Sequence, residues 1–299
     1  MKYLKKLIKS NKNIYSFFYN MQLIYTSLFM KPLVFIEMIF NYMKIYFNKK
    51  VGLKRAHLFH NNIRNRIYKK LILNQIKEFK KNKKEDDVFV LIEVGSLIGA
   101  SIEIWGNELS KRIKNFTIIS IDPFEDYVNQ KMKNVYKTLE IRSNFTNKLY
   151  TYFIHNNSLL SWRKNIIHIR DYSKNALETL LKLNIRSDFI YIDGAHDYIN
   201  VKEDLRLSKK LIYNKKKYSG TICGDDYTVN INEHKNFGLS KKEFLSLLNK
   251  ERQTELITLS AKSNSKFKNI TFHPGVTLLF ASTKNFIIQL KDGLWKLKL

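Results

Sequence analysis

The chain has 299 residues, of which 44% are hydrophobic, with 53 Lys/Arg against 26 Asp/Glu for a formal net charge of +27, and one cysteine. That suits one α/β domain of about 200 residues plus an extension, with apolar content enough for a core. The lone Cys223 excludes an intramolecular disulfide framework and fits a reducing compartment, so a cytoplasmic location is expected.

A charge of this size suits an anionic partner, but the bias toward Lys, Asn, Ile, Tyr and Phe is also what AT-rich coding DNA produces. The surplus is uneven: residues 1–87 hold 20 Lys/Arg against 5 Asp/Glu, a net +15. Residues 1–50 form a basic, aromatic leader expected as two helices, with Phe17, Phe18, Tyr25, Phe29, Phe35, Phe40 and Tyr46 among its apolar residues. The uncharged run Ile14 to Met30 is short and polar against the ~20 predominantly apolar residues of a span, which leaves a true span as the least favoured reading of the leader. The leader's expected roles are docking or homo-oligomer formation, or peripheral contact with an anionic membrane at its inner surface. Residues 51–87 are a helical lead-in, with Ile63, Ile67, Leu71 and Asn74 at 3–4 spacing, that ends in the charged linker Lys80 to Asp87. The linker has no aromatic interleaving of the kind that tracks nucleic acid, so that partner is not expected. The main domain is expected over 88–299.

From Val88 the pattern alternates between strand and helix, which predicts a doubly wound, mostly parallel sheet. The first strand, Val88 to Val94, runs into Glu93-Val-Gly-Ser-Leu-Ile-Gly-Ala-Ser101 and then a helix over roughly Ala100 to Lys114. Gly95 and Gly99 allow a sharp turn and close ligand approach, and the helix N-terminus offers N–H groups to an anion. A glycine pair after a strand is also ordinary turn chemistry. The G-x-G spacing of a dinucleotide fingerprint is absent, which disfavours a nicotinamide cofactor. The second strand, Phe116 to Ile121, ends at Asp122-Pro123. Asp122 lies 23 residues past Gly99, close to the ~20-residue spacing of a ribose-binding acid, although Asp-Pro also initiates turns.

Glu125 to Trp162 is longer than a crossover helix and reads equally as a lid or as helical packing. Strands follow at Ile166–Ile169, Phe189–Ile192 and Gly220–Gly224, with helices Asn175–Leu183 and Asn200–Tyr213 between them. Leu256–Ser260 and Gly275–Ser282 are expected to close the sheet as a hairpin. Asp193 follows the fourth strand, and Asp225 and Asp226 follow the fifth. Carboxylates at adjacent strand ends repel unless a cation neutralises them, and hard oxygen ligands favour Mg²⁺. Asp193 could instead be a turn residue and Asp226 a cap. Cys223, inside an apolar strand, reads as core.

Four motifs in this order, Leu91–Ser101, Ile118–Phe124, Asp188–Asp197 and Gly220–Tyr227, resemble the class I S-adenosylmethionine-dependent methyltransferases. Within that class they resemble the metal-dependent small-molecule O-methyltransferases related to catechol, macrocin-type sugar and cephalosporin-pathway enzymes. The resemblance covers about Val88 to Ser282 and implies a seven-stranded sheet with an antiparallel last strand. It also implies that the cofactor's amino-acid end lies over Glu93, Gly95, Gly99 and Ser101, its ribose at Asp122, and its adenine near Asp171, Tyr172 and Ser173. Here Arg170-Asp-Tyr-Ser stands where relatives commonly have Gly-Asp-Ser. Asp193, Asp225 and Asp226 take the family's metal positions. His196 replaces the lysine base of catechol-type relatives three residues after the first acid, and an imidazole can accept a proton near neutral pH. The implied activity is methyl transfer to a hydroxyl of a small molecule or sugar. The alternatives are a metal-free or amine-directed enzyme of the same fold, or a cofactor-binding protein without turnover that acts through its basic leader.

Overall fold

The computed structural model describes residues 43–50, 62–124, 150–195, 198–225, 240, 242, 287–290 and 294–297. The chain divides into two compact units, Met1–Leu58 with Glu125–Leu159, and Phe59–Phe124 with Leu160–Leu299. In the first unit the described residues are helical at 43–46 and 150–158, and His155 Nε2 lies 3.0 Å from the Lys49 carbonyl. Most of the expected leader, residues 1–42, lies outside the described residues, as does 125–149 of the segment that reads equally as a lid or as helical packing. Among the described residues no helix is long and apolar enough to cross a membrane.

The second unit carries the sheet. Its elements are α1 (Asn62–Asn82), β1 (Phe89–Val94), α2 (Ala100–Ser110), β2 (Phe116–Ile121), a 3₁₀ turn (Arg163–Asn165), β3 (Ile166–Ile169), α3 (Ser173–Lys182), β4 (Phe189–Ile192), α4 (Tyr198–Leu211), β5 (Asn214–Lys215), β6 (Tyr218–Ser219), β7 (Thr221–Gly224), β8 (Ile287–Gln289) and β9 (Trp295–Leu297). Among the described residues the main sheet has seven strands, in the order β3-β2-β1-β4-β7-β9-β8. The first five are parallel; β9 runs antiparallel to both β7 and β8. The expected doubly wound, seven-stranded sheet is therefore observed. The segments expected to form the closing hairpin, 256–260 and 275–282, lie outside the described residues. The antiparallel pair on which the described sheet ends is β8–β9.

Both sheet faces are covered, so successive side chains of one strand enter different cores. Ile92, Val94, Ile190, Ile192 and Ile222 pack with Ala176, Leu177 and Leu180 of α3 and Val201, Leu205 and Leu211 of α4. On the other face, Trp105 of α2 lies 5.2 Å from the Phe189 ring and 5.5 Å from Tyr191, and Phe79 of α1 lies 5.1 Å from Phe89. Cys223 is fully buried in β7, as expected.

Helix α1 belongs to the sheet unit, whose compact body begins at Phe59 rather than at the expected boundary of 88. Its buried stripe is Tyr68, Leu71, Ile72, Gln75, Ile76 and Phe79, whereas Asn74 of the expected stripe is exposed. The stripe is rotated because a polar residue sits inside it with partners on the sheet. Gln75 Nε2 donates to the Tyr218 hydroxyl (3.1 Å) and its Oε1 accepts from Thr221 Oγ1 (2.7 Å). Tyr218 in turn donates to Asp188 (2.7 Å), which also accepts the Val90 N–H (2.8 Å). A pattern that counts only apolar residues passes over such a position.

Candidate functional site

Strand register brings the sequence-predicted residues to one edge. Val94 pairs with Ile121 and Ile192, Ile121 with Ile169, and Ile192 with Gly224. The next residues of four strands are Gly95, Asp122, Asp193 and Asp225, so all four leave the sheet from a single row at its C-terminal edge. In open α/β sheets this edge is where ligands bind.

The loop after β1 alternates handedness. Gly95 and Gly99 both have φ +83°, and Leu97 between them has φ 45°. Gly95 is required by the chain itself, since a Cβ there would meet the Asp193 carbonyl oxygen at 2.0 Å. Left-handed residues alternating along a loop turn backbone N–H groups toward one point, an anion-binding arrangement. The anion found there is Asp122. Its Oδ2 accepts the Ser96 and Leu97 N–H groups, both at 2.9 Å, and its Oδ1 accepts the Phe124 N–H at 2.7 Å. Burial raises the Asp122 pKa, while the Leu97, Phe124 and Ser96 N–H groups pull against it. A second tie runs through side chains: Ser120 Oγ donates to Ser96 Oγ (2.8 Å) and lies 3.3 Å from His168 Nδ1. Asp122 thus first organises the loop. A carboxylate has about four lone-pair sites, so one direction remains for a ligand hydroxyl.

Glu93 is fully buried, and neither carboxylate oxygen has a hydrogen-bond partner of ordinary geometry. Burial pushes its pKa up to about 8, with Ser101 and Trp105 near enough to lower it and Asp122 raising it slightly. Ser101 is buried at the start of α2, whose N-cap, Gly99, has no side chain to satisfy the first-turn N–H groups. An unanswered carboxylate beside a helix N-terminus suits a zwitterion, with an ammonium toward Glu93 and a carboxylate toward the helix. The amino-acid end of S-adenosylmethionine fits that description.

At the end of β3, Asp171 Oδ1 accepts the Tyr172 N–H (2.6 Å) and Asn175 Nδ2 (3.1 Å), holding the start of α3. Tyr172 is half exposed and Ser173 opens the helix.

The acids after β4 and β7 are answered differently. Arg64 of α1 forms a fork on Asp225, with Nη1 donating to Oδ2 (2.5 Å) and Nη2 to Oδ1 (3.1 Å). Burial works against the guanidinium's charge but is outweighed, chiefly by Asp225 and then by Tyr68, Tyr191 and Asp193, so its pKa is raised. Tyr191 of β4 donates to Asp193 Oδ2 at 3.3 Å. The Tyr68 and Tyr191 hydroxyls share a 2.6 Å hydrogen bond. Burial first, then the nearby acids, raises both phenol pKa values, so both keep their protons. The Asp225 backbone is pinned as well, its N–H on the Ile192 carbonyl (3.2 Å) and its carbonyl on Trp295 Nε1 (2.9 Å).

Of the expected Mg²⁺ ligands, Asp193 and Asp225 are described, and Asp225 is already answered by Arg64. Mg²⁺ demands six oxygens in near-ideal octahedral array, and both Asp225 oxygens are committed to a cation already. No group of three or more metal-ligating side chains occurs among the described residues. Asp226 and His196 lie outside the described residues. Arg64, Tyr68 and Tyr191 were passed over in the sequence; the available signal was an arginine and a tyrosine four residues apart on the stripe that α1 buries.

Residues 92–227 match the family model described as a methyltransferase domain. The match covers just under half of the chain, beginning inside β1, so α1 with Arg64 precedes it and the β8–β9 pair follows it. No curated protein matches the chain. Among solved structures, similarity extends to a SAM-dependent methyltransferase from Agrobacterium tumefaciens, at 9% identity over 57% of this chain and 47% of that one, TM-score 0.37. The O-methyltransferase NovP is 17% identical over 56% of this chain and 66% of that one, TM-score 0.37. CalS11, a TDP-rhamnose 3'-O-methyltransferase of calicheamicin biosynthesis, is 14% identical over 73% and 84%, TM-score 0.35. The chain thus spans less than two thirds of the length of the first two.

Proposed function

We propose that this protein transfers a methyl group from S-adenosylmethionine to a hydroxyl of a small molecule or sugar. The observation that carries the reading is a pair on β1 and α2: a fully buried Glu93 with no hydrogen-bond partner of ordinary geometry, beside a helix start whose cap, Gly99, has no side chain. The domain match supports methyl transfer.

When bound, S-adenosylmethionine supplies an electrophilic methyl group on a sulfonium. On this reading Glu93 binds its ammonium and gives up the proton that burial favours, and the α2 N-terminus receives its carboxylate. Asp122 offers its remaining lone-pair direction to a ribose hydroxyl while it holds the loop shut. Asp171, Tyr172 and Ser173 border the adenine. His196 is the proposed base for the acceptor hydroxyl, because an unperturbed imidazole titrates near neutrality. Charge is neutralised as the methyl moves, so the work of the protein is to hold donor and acceptor in register.

Two measurements test this. Calorimetry with S-adenosylhomocysteine should show binding to the full chain that is weakened in Glu93→Gln. Incubation with methyl-labelled S-adenosylmethionine and pools of sugars, phenols and polar metabolites should then label a hydroxyl-bearing product. Binding unchanged in Glu93→Gln would remove the residue from the site, and label appearing only on amines would overturn the hydroxyl assignment.

A further inference from the structure

The acids at the ends of β4 and β7 set a problem of charge, and the structure solves it with a residue from outside the matched segment. The Asp225 side chain is only 3% exposed and the Arg64 side chain that grips it 13%. A carboxylate so buried is costly unless a cation both neutralises it and fills its lone pairs, which the guanidinium fork does. Resting on the methyl-transfer reading above, we propose that Arg64, rather than a divalent cation, supplies the positive charge at this edge of the site, as a positioning residue for a reaction that runs without metal.

Three observations argue for it together. The first is occupancy: Asp225 gives both oxygens to Arg64, and Asp193 Oδ2 accepts from Tyr191, so the two described acids do not present a free set of oxygens. The second is repulsion, because a divalent ion at Asp225 would sit beside a guanidinium that does not deprotonate in proteins. The third is rigidity. The stretch of α1 that carries Arg64 is tied to the sheet, because Tyr68 bonds Tyr191 and Gln75 bonds Tyr218 and Thr221, so the guanidinium is presented from a fixed backbone. Tyr68 also packs 4.8 Å from the Trp105 ring and 5.4 Å from that of Tyr191, so the first turns of the helix are held from two elements. The same ties let Arg64 set the position of Asp225 at the edge where the acceptor would arrive.

The test uses the full-length protein and Mn²⁺ as the probe, read by electron paramagnetic resonance, with S-adenosylhomocysteine calorimetry on the same samples. The wild-type chain should hold no Mn²⁺ at this edge. Arg64→Gln removes the charge and should open the acids, so that a bound Mn²⁺ appears and disappears again when Asp225→Asn is added. Arg64→Lys keeps a charge in place of the fork and should stay free of Mn²⁺; it also serves as the folded control should the glutamine variant fail to fold. A wild-type site that binds Mn²⁺ and loses it in Asp225→Asn would overturn the proposal. So would a folded Arg64→Gln that gains no ion, or an Arg64→Lys that gains one. Binding of S-adenosylhomocysteine reports separately on the cofactor reading, which fails if wild-type protein does not bind it, whatever Mn²⁺ does.

Discussion

The two halves of the sheet's C-terminal edge meet the same difficulty in different ways. At β1–β2 the charged group is answered locally: Asp122 accepts N–H groups from Ser96, Leu97 and Phe124, all within 26 residues of it. At β4–β7 the charge is answered from far away, Asp225 by Arg64 across 161 residues. The difference teaches where a family pattern stops being informative. A match over 92–227 contains every partner of the first half and omits the decisive partner of the second.

The largest expected effect breaks the remote half outright. A chain that starts at Val88 loses α1, and with it the burial of Tyr68, Leu71, Ile72, Ile76 and Phe79. At roughly 1.5–3 kcal/mol for each buried side chain, this loss rivals the whole stability of a typical domain, about 5–15 kcal/mol. Thermal melts should show a cooperative transition for a chain starting at Phe59 and none for one starting at Val88. A folded, cofactor-binding Val88 chain would make α1 an accessory.

The next effect probes the local half through pH. Glu93 has its pKa raised by burial to about 8 from 4.5. Between those values the folded state holds a proton that the unfolded state has released, so the stability contribution is fully present below pH 4.5 and is lost as pH rises through about 8. Its size is on the order of 5 kcal/mol. Asp188, raised to about 6 from 3.8, acts with the same sign over its lower window. Denaturant titrations from pH 5 to 9 should show the apo protein weakening with pH, and Glu93→Gln should flatten the part of the curve above pH 6. In the same variant, the proton release that accompanies S-adenosylhomocysteine binding at pH 7, measured in buffers of different ionisation enthalpy, should vanish.

A smaller change sharpens the role of Asp122. Asp122→Asn keeps the shape but weakens three charge-assisted bonds, and S-adenosylhomocysteine affinity should fall by ~1–3 kcal/mol, about 5- to 150-fold. Unchanged affinity would show that loop order alone, without a ligand bond, is what Asp122 provides. Smallest is Tyr68→Phe, which removes one neutral hydrogen bond to Tyr191 and should cost about 0.5–1.5 kcal/mol in a denaturant melt while leaving S-adenosylhomocysteine affinity unchanged. A large loss of that affinity would mean the two halves are coupled through the aromatic layer.

Much of the local half could be read from the chain. The apolar runs of β1 to β4 and β7 lie within a residue or two of their expected bounds, because strands buried on both faces are written as continuous apolar segments. Gly95, Asp122, Asp193 and Asp225 are legible as strand ends, since each interrupts such a run, and Gly99 as the second glycine of the loop before the helix. What the chain did not disclose for Asp122 was its partners, because the left-handed turns at Gly95, Leu97 and Gly99 decide where the N–H groups point, and Leu97 gives no sign of a positive φ.

The remote half was opaque for a different reason. Periodicity in α1 favoured Ile63, Ile67, Leu71 and Asn74, whereas the buried stripe includes Gln75 and lies next to Arg64. A polar residue belongs to a core only when its partners are there, and those partners, Tyr218, Thr221 and Asp225, are more than 140 residues away. The sequence by itself therefore determined the alternation of elements, the acids at the strand ends and the glycine loop, since these follow from local hydrophobicity and backbone freedom. Only the tertiary structure decided which cation neutralises Asp225 and which face of α1 is buried, because charge compensation at a distance depends on positions in space that no local pattern encodes.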